Sequence, residues 1–158
     1  MKKQLVISLF LMLCVGFIQT SRGQTVSGTS NPGIEKEIDA VFMAAIQAAE
    51  SFDATKLINC VDDRYQAGFI SNGVYYSRFD SLANILNART PGSVKQHITI
   101  QKKKISVIAD NIALVSASGV SQIEPNGGNP FDVNFCWTFV YQKFNNEWKV
   151  IQSHQSGK

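Results

Sequence analysis

The last strand-like segment of the chain, NEWKVIQSHQS, carries the residues best suited to acid/base chemistry. Extended backbone places every second side chain on one face, which here would gather Trp148, Val150, Gln152 and His154. A histidine titrates near neutral pH and can act as a general acid or base. Either this face lines a polar pocket, with His154 as the catalytic group and Gln152 as a ligand contact, or His154 is a solvated residue near a strand end.

The segment before it, FDVNFCWTFVYQKF, is rich in aromatic residues. One face of a strand over this segment would hold Phe131, Val133, Phe135, Trp137, Phe139 and Tyr141. That much apolar surface must be covered by helices, by a second subunit or by a ligand. If a ligand covers it, we expect Trp137 and Phe139 to form the wall of the binding site.

Tyrosines cluster around a predicted hairpin, at Tyr65, Tyr75 and Tyr76. A tyrosine at a pocket entrance offers an apolar ring and a hydroxyl donor, which suits an oxygenated ligand. We therefore include Tyr65 and Tyr76 among the candidate ligand-binding residues, with packing on the hairpin surface as the alternative.

The adjacent acids Asp62 and Asp63 could supply general acid/base groups. Neighbouring side chains of an extended chain point in different directions, however, and turn or cap chemistry explains aspartates between a helix and a strand. We favour that second interpretation. His97 alternates with the polar residues Thr99 and Gln101, a pattern typical of a solvated face.

Several chemistries lack their sequence signature. The chain has no G-x-S-x-G nucleophile elbow, no P-loop, no G-x-G-x-x-G motif and no clustered His/Cys spacing for zinc. The PNGGNP loop at 125–130 connects two predicted strands without a following helix, so it lacks the dipole of a phosphate cradle. We therefore expect neither a metal nor a cofactor.

The N-terminal segment has the pattern of a secretory signal peptide. Lys2 and Lys3 precede an apolar run, and small residues follow before a predicted cleavage between Gly23 and Gln24. The run is short for a membrane span, which needs about 20 apolar residues. A lipid anchor at Cys14 is the weaker alternative. We expect an exported protein, periplasmic or extracellular, with no membrane contact beyond the cleaved signal.

Removal of residues 1–23 changes the charge balance. The whole chain has 15 Lys and Arg against 12 Asp and Glu, and the signal takes three basic residues and no acidic one. The mature chain is therefore close to neutral, which argues against a nucleic-acid partner. Cys60 and Cys136 remain after cleavage, and the sequence leaves open whether they form a disulfide or stay free.

Helical periodicity follows a short polar leader, 24–31. Asn31 and Pro32 predict a helix start, and Asp53 predicts the cap of a second, short helix. Asn72-Gly73 predicts a hairpin turn. Ser77, with Asp80 three residues later, predicts a capping box for a third helix that Pro91-Gly92 ends.

Period-two alternation then predicts strands near 95–108, 112–123, 131–143 and 147–155. Short turns between them favour an antiparallel meander with one face covered by the helices. The prediction is an α+β domain over 32–156, in which a cone-shaped curved antiparallel sheet, made of a four-strand meander and a small hairpin, packs on three N-terminal helices.

This order of elements resembles the nuclear transport factor 2-like superfamily, especially its SnoaL-like and ketosteroid-isomerase-like stand-alone domains. The segments FDATKL, DDRYQAGFISNG and NEWKVIQSHQS carry the resemblance. A His-x-Ser ending similar to the last segment occurs in the association domain of calmodulin-dependent kinase. The resemblance implies a conical cavity that can hold an apolar molecule, and a homodimer formed through the outer face of the sheet.

The isomerase comparison is weakened by residue type, because the first helix offers Phe42 and Met43 where such enzymes carry a tyrosine. Three functions remain open. The first is binding of a small, partly apolar molecule outside the cytoplasm without assignable catalysis. The second is a SnoaL-like lyase, isomerase or cyclase that uses His154 as acid/base. The third is a dimeric accessory or assembly module whose cavity is filled by its own side chains.

Overall fold

The computed structural model describes residues 30–88 and 94–158. The predicted signal peptide, all but the last two residues of the leader and the Pro91-Gly92 stop lie outside these ranges. The elements in chain order are α1 (Pro32–Glu50), α2 (Ala54–Asn59), β1 (Phe69–Ser71), β2 (Val74–Tyr76), α3 (Phe79–Asn87), β3 (Val94–Ala109), β4 (Ile112–Pro125), β5 (Phe131–Phe144) and β6 (Glu147–Gly157). None of the helices described is long and apolar enough to cross a membrane.

Local capping signals start the first two helices where they were predicted. The Ile34 backbone N–H donates to Asn31 Oδ1 at 3.2 Å, and proline occupies the first turn of α1. Asp53 Oδ1 accepts from the Lys56 N–H at 3.0 Å and caps α2. One stripe of α1, with Ile38 and Phe42 at its centre, is buried against the sheet.

The predicted capping box of α3 is wrong. The residue before this helix is Arg78, and its side chain makes no capping hydrogen bond within the described ranges. Asp63 supplies the cap from the preceding loop, because its Oδ2 accepts from the Phe79 N–H at 2.7 Å. The free backbone N–H at the start of α3 is thus satisfied by a residue 16 positions earlier in the chain. A local sequence pattern cannot reveal such a cap.

The sheet has the strand order β2-β1-β6-β5-β4-β3. The meander of β3 to β6 is antiparallel throughout, and each strand ends within two residues of its predicted bounds. The hairpin of β1 and β2 turns at Asn72-Gly73, where both residues have positive φ. It joins the meander by a parallel pairing of β1 with β6, which the sequence did not indicate.

A bulge in β6 changes which side chains face the helices. Val140 pairs with Gln152 and the next residue, Tyr141, pairs with Val150, so Ile151 is an extra residue without a partner across the ladder. The prediction that Gln152 and His154 share a face with Trp148 and Val150 is therefore wrong. Beyond the bulge Ser153 is buried and His154 is exposed.

Glu37 joins α1 to the end of the meander. Its Oε2 accepts from the Trp148 indole N–H and from Lys143 Nζ, each at 2.7 Å. These two hydrogen bonds, that of Lys143 first, hold the pKa of Glu37 below its ordinary value. The helices cover the concave side of a curved, mostly antiparallel six-stranded sheet. This architecture confirms the predicted α+β cone.

Candidate functional site

A cavity of about 730 Å³ lies between the helices and the concave face of the sheet. Most of its wall is apolar. Helical residues such as Phe42, Ile46, Leu82 and Leu86 form one side. Its size falls within the range of small-molecule sites, which is roughly 300–1,000 Å³.

The aromatic face of β5 forms the opposite wall. Five of the six residues predicted for this face line the cavity, namely Val133, Phe135, Trp137, Phe139 and Tyr141, whereas Phe131 is 49% exposed and lies outside it. Phe135 and Trp137 stack with centroids 3.8 Å apart, and Phe139 meets Trp137 edge-on at 6.3 Å. Phe42 of α1 contacts Phe139 in an edge arrangement at 6.0 Å. These rings form the boundary of the cavity and leave space between them and the helices.

Four polar side chains of this wall lie in two pairs. Gln96 Nε2 donates to Ser121 Oγ at 2.8 Å, and Gln155 Nε2 approaches Ser153 Oγ at 3.5 Å. Ser121 is 4% exposed and Ser153 is 2% exposed. Sequence reasoning missed all four. Ser121 could have been found, because it continues the apolar alternation of β4, whereas Ser153 faces inward only because of the bulge.

Tyr141 and Cys60 lie together at the end of the cavity next to α2. Tyr141 is 3% exposed, and burial raises the pKa of its phenol, with a smaller contribution from Cys60. Burial also raises the pKa of the Cys60 thiol, partly opposed by Lys149. Both groups therefore stay protonated and neutral at physiological pH.

Charged side chains do not line the cavity anywhere in the part of the chain that the structure describes. No Asp, Glu, Lys, Arg or His belongs to its wall, so proton transfer to a bound molecule has only Tyr141, Tyr76 and Cys60 to draw on. The same described ranges contain no cluster of His, Cys, Asp and Glu that could hold a metal ion.

The structure brings half of the predicted site residues together. Tyr76, Trp137 and Phe139 line the cavity, whereas Tyr65, Gln152 and His154 do not. Tyr65 is 53% exposed, and its ring packs against that of Phe144 with centroids 6.2 Å apart.

His154 lies on the opposite side of the sheet, which we call the outer face. Register aligns Lys104, Ser116, Thr138 and His154 in one row across four strands, and Lys102, Ser118 and Cys136 in the next row. Small and polar side chains thus occupy the middle of the outer face. Cys136 is exposed there, and it is not bonded to Cys60 on the cavity side.

The remaining candidates have structural partners. Asp62 accepts from the Arg64 backbone N–H at 3.1 Å and from its guanidinium, which lowers the pKa of the Asp62 carboxyl. With Asp63 capping α3, this confirms turn and cap roles for the paired acids. His97 Nδ1 lies 2.9 Å from Glu50 Oε1, at an exposed position outside the cavity.

Comparisons with known proteins agree with this architecture. Residues 35–158 match the family model of the calcium/calmodulin dependent protein kinase II association domain. A nuclear transport factor 2-like superfamily protein from Salmonella enterica is similar at TM-score 0.69, with 16% identity over 81% of this chain and 93% of the other. No curated protein matches the sequence.

Two solved association-type domains are also similar. The association domain of the C. elegans kinase gives a TM-score of 0.66 and 15% identity, covering 79% of this chain and 96% of the other. The CaMKII hub homology domain from Chlamydamonas reinhardtii gives a TM-score of 0.65 and 19% identity, covering 78% of this chain and 97% of the other. At these identities the solved structures establish the fold alone. The family match spans most of the sequence, and the chain therefore belongs to the calcium/calmodulin dependent protein kinase II association domain family, within the nuclear transport factor 2-like superfamily.

Proposed function

We propose that the protein binds a small, largely apolar molecule in the cavity between its helices and the concave face of the sheet. The observation that carries this proposal is a space of about 730 Å³ bounded by aromatic rings and a few inward polar groups. A cavity with such a wall is the usual form of a small-molecule site. No ionisable pair in the wall calls for a catalytic role, so binding is the function that the geometry supports best.

The alternatives from the sequence fit less well. An enzyme that uses His154 on a bound substrate would need this residue in the cavity, whereas it lies on the outer face. A cavity filled by the protein's own rings would leave no such space, whereas Phe135, Trp137 and Phe139 line it.

A test of binding uses a cavity-filling variant with a matched control. Ala45 lines the cavity from α1, while its neighbour Ala44 is exposed on the same helix. We expect the neutral dye Nile red to bind residues 24–158 and to bind Ala44→Trp equally well. Ala45→Trp should weaken binding at least tenfold, because the indole takes the ligand's space. Equal binding by both variants would place the dye elsewhere and refute the proposal.

Native mass spectrometry of the same protein, purified gently after export in a bacterial host, would identify a natural ligand. We expect a co-purified species of extra mass that Ala45→Trp lacks. This experiment also depends on export, which we propose from the N-terminal pattern of residues 1–23. Fractionation of cells that express the full chain should recover a shortened form outside the cytoplasm, and full-length protein in the cytoplasm would contradict export.

Self-association through the outer face is a second proposed function. The central rows of this face combine small side chains with exposed Cys136, and Lys102 and Lys104 flank them. The similar solved domains carry association and hub in their names. Wild-type protein should sediment as a dimer or larger assembly, and Thr138→Arg should dissociate it through like-charge repulsion. Asn126→Arg, in the exposed loop before β5, is the charge-matched control and should not.

A further inference from the structure

We propose that the cavity selects an uncharged ligand that carries a carbonyl or ether oxygen, which accepts a hydrogen bond from the Tyr141 hydroxyl. This inference rests on the proposed function and specifies the chemistry of its ligand.

The exclusion of charge follows from the composition of the wall. Every described residue that lines the cavity is neutral at physiological pH, and the nearby acids have partners outside it, as Glu37 has in Lys143. A carboxylate or ammonium that entered would lose its hydration and find no opposite charge. A ligand of the same shape without the charge avoids that cost, so the wall discriminates by charge as well as by size.

The requirement for an acceptor follows from Tyr141. Its side chain is almost completely buried and lines the cavity, and its hydroxyl makes no hydrogen bond with any residue in the described ranges. Within the described ranges, Asp63 Oδ1 is the one side-chain polar atom that is fully inaccessible and has no hydrogen-bond partner. The Tyr141 hydroxyl also has no partner there but is not fully inaccessible, so it remains open to the cavity. A buried donor without a partner favours a ligand that supplies an acceptor.

The polar side chains that β3, β4 and β6 contribute to the wall have partners within the protein. Gln96 pairs with Ser121, and Gln155 lies within reach of Ser153. Next to Tyr141, the protonated Cys60 thiol adds a weak donor. The end of the cavity near α2 therefore offers donors, and the aromatic wall of Phe135, Trp137 and Phe139 offers an apolar surface for the rest of the molecule.

Isothermal titration calorimetry with ligands of one length tests both parts. We expect 2-decanone to bind residues 24–158 at least tenfold more tightly than decanoate or decylammonium. Tyr141→Phe should lower the affinity for 2-decanone about fivefold, because the loss of one hydrogen bond usually has an effect of this size. Tyr65→Phe, at an exposed tyrosine outside the cavity, should leave the affinity unchanged.

A second comparison needs no variant and stands even if Tyr141→Phe folds poorly. In 2-methyl-1-decene a methylene replaces the ketone oxygen of 2-decanone, and wild-type protein should prefer the ketone. Equal affinity for ketone and alkene, or tight binding of decanoate, would overturn the inference while leaving the proposed function intact. Absence of binding by all of these ligands and by Nile red would overturn both.

Discussion

The two faces of the same sheet differ in chemistry although the same strands build both. The concave face is aromatic, buried and neutral, with Ser121, Tyr141 and Ser153 as inward polar groups. The outer face carries Lys104 and His154 in a single row, and Cys136 in the next. The side chains that suggested acid/base chemistry thus lie where a ligand in the cavity cannot reach them. The concave face thus suits an apolar guest, and the outer face presents polar and small side chains.

A single residue decides this division in β6. Without the extra Ile151, strict alternation would direct Gln152 and His154 into the cavity and turn Ser153 and Gln155 outward. From Gln152 to the end of β6, the bulge exchanges the side chains that face the cavity with those that face outward. The cavity wall therefore receives Ser153 and Gln155 from this segment and not His154.

The strongest test of this difference places a charge on each face in turn. Ser153→Lys puts an ammonium group at a position 2% exposed with no acid in the described cavity wall, and we expect a loss of about 3 kcal/mol in the free energy of unfolding. His154→Lys, one residue later on the outer face, should change it by less than about 0.5 kcal/mol. Urea denaturation followed by circular dichroism measures both. Similar losses for the two variants would show that the bulge does not separate the faces.

A smaller effect is expected where the concave face leaves no room. A Cβ at Gly119 of β4 would overlap the Thr99 carbonyl oxygen of β3 and lie 2.8 Å from the Phe135 ring. Gly119→Ala should therefore lower the free energy of unfolding by about 2 kcal/mol, as overpacking does. Ser118→Ala, the adjacent residue on the outer face, should cost little. Thermal unfolding of the two variants measures the difference. If Gly119→Ala were as stable as the wild type, the close packing around Gly119 would be contradicted.

The smallest expected effect is the pH dependence of stability that arises from Glu37. The pKa of Glu37 is lowered from its ordinary 4.5 by Lys143 and Trp148, so its contribution to stability is complete above pH 4.5 and is lost as pH falls through the lower folded value. Glu37→Gln should be less stable than wild type at neutral pH, and the difference should vanish in acid. Glu124→Gln, at the exposed end of β4, is the control. A difference that persists unchanged in acid would mean that the Glu37 charge does not matter.

Ligand affinity should not follow this pH dependence. Because burial raises the pKa values of Cys60 and Tyr141, neither group titrates between about pH 5 and pH 8. Affinity for 2-decanone should therefore be constant over that range. A clear midpoint near neutrality would implicate a histidine in binding.

The sequence predicted the elements well because their signals are local. Asn31 and Asp53 cap helices through residues three positions away, and β4 and β5 pair with each other without a register shift, so their alternation is unbroken between adjacent turns. Non-local features were not predictable in this way. Asp63 caps a helix 16 residues later, and β1 reaches β6 across most of the domain.

The candidate site was predicted in part for the same reason. Trp137 and Phe139 belong to the uninterrupted alternation of β5, and the structure places both in the cavity wall. Gln152 and His154 follow a bulge that no composition signal reveals, because the register shift depends on pairing with Val140 and Tyr141. Strict alternation therefore placed Gln152 and His154 on the wrong face of β6, whereas the alternative of a solvated His154 agrees with its exposure.

An amide NMR titration of residues 24–158 with 2-decanone tests the central claim most directly, since it reports each face of the sheet separately. We predict saturable shifts at Ser121, Trp137, Tyr141 and Ser153, with Ser116, Thr138 and His154 unchanged. Shifts confined to the outer face, or no saturable shifts anywhere, would contradict the assignment of ligand binding to the concave cavity.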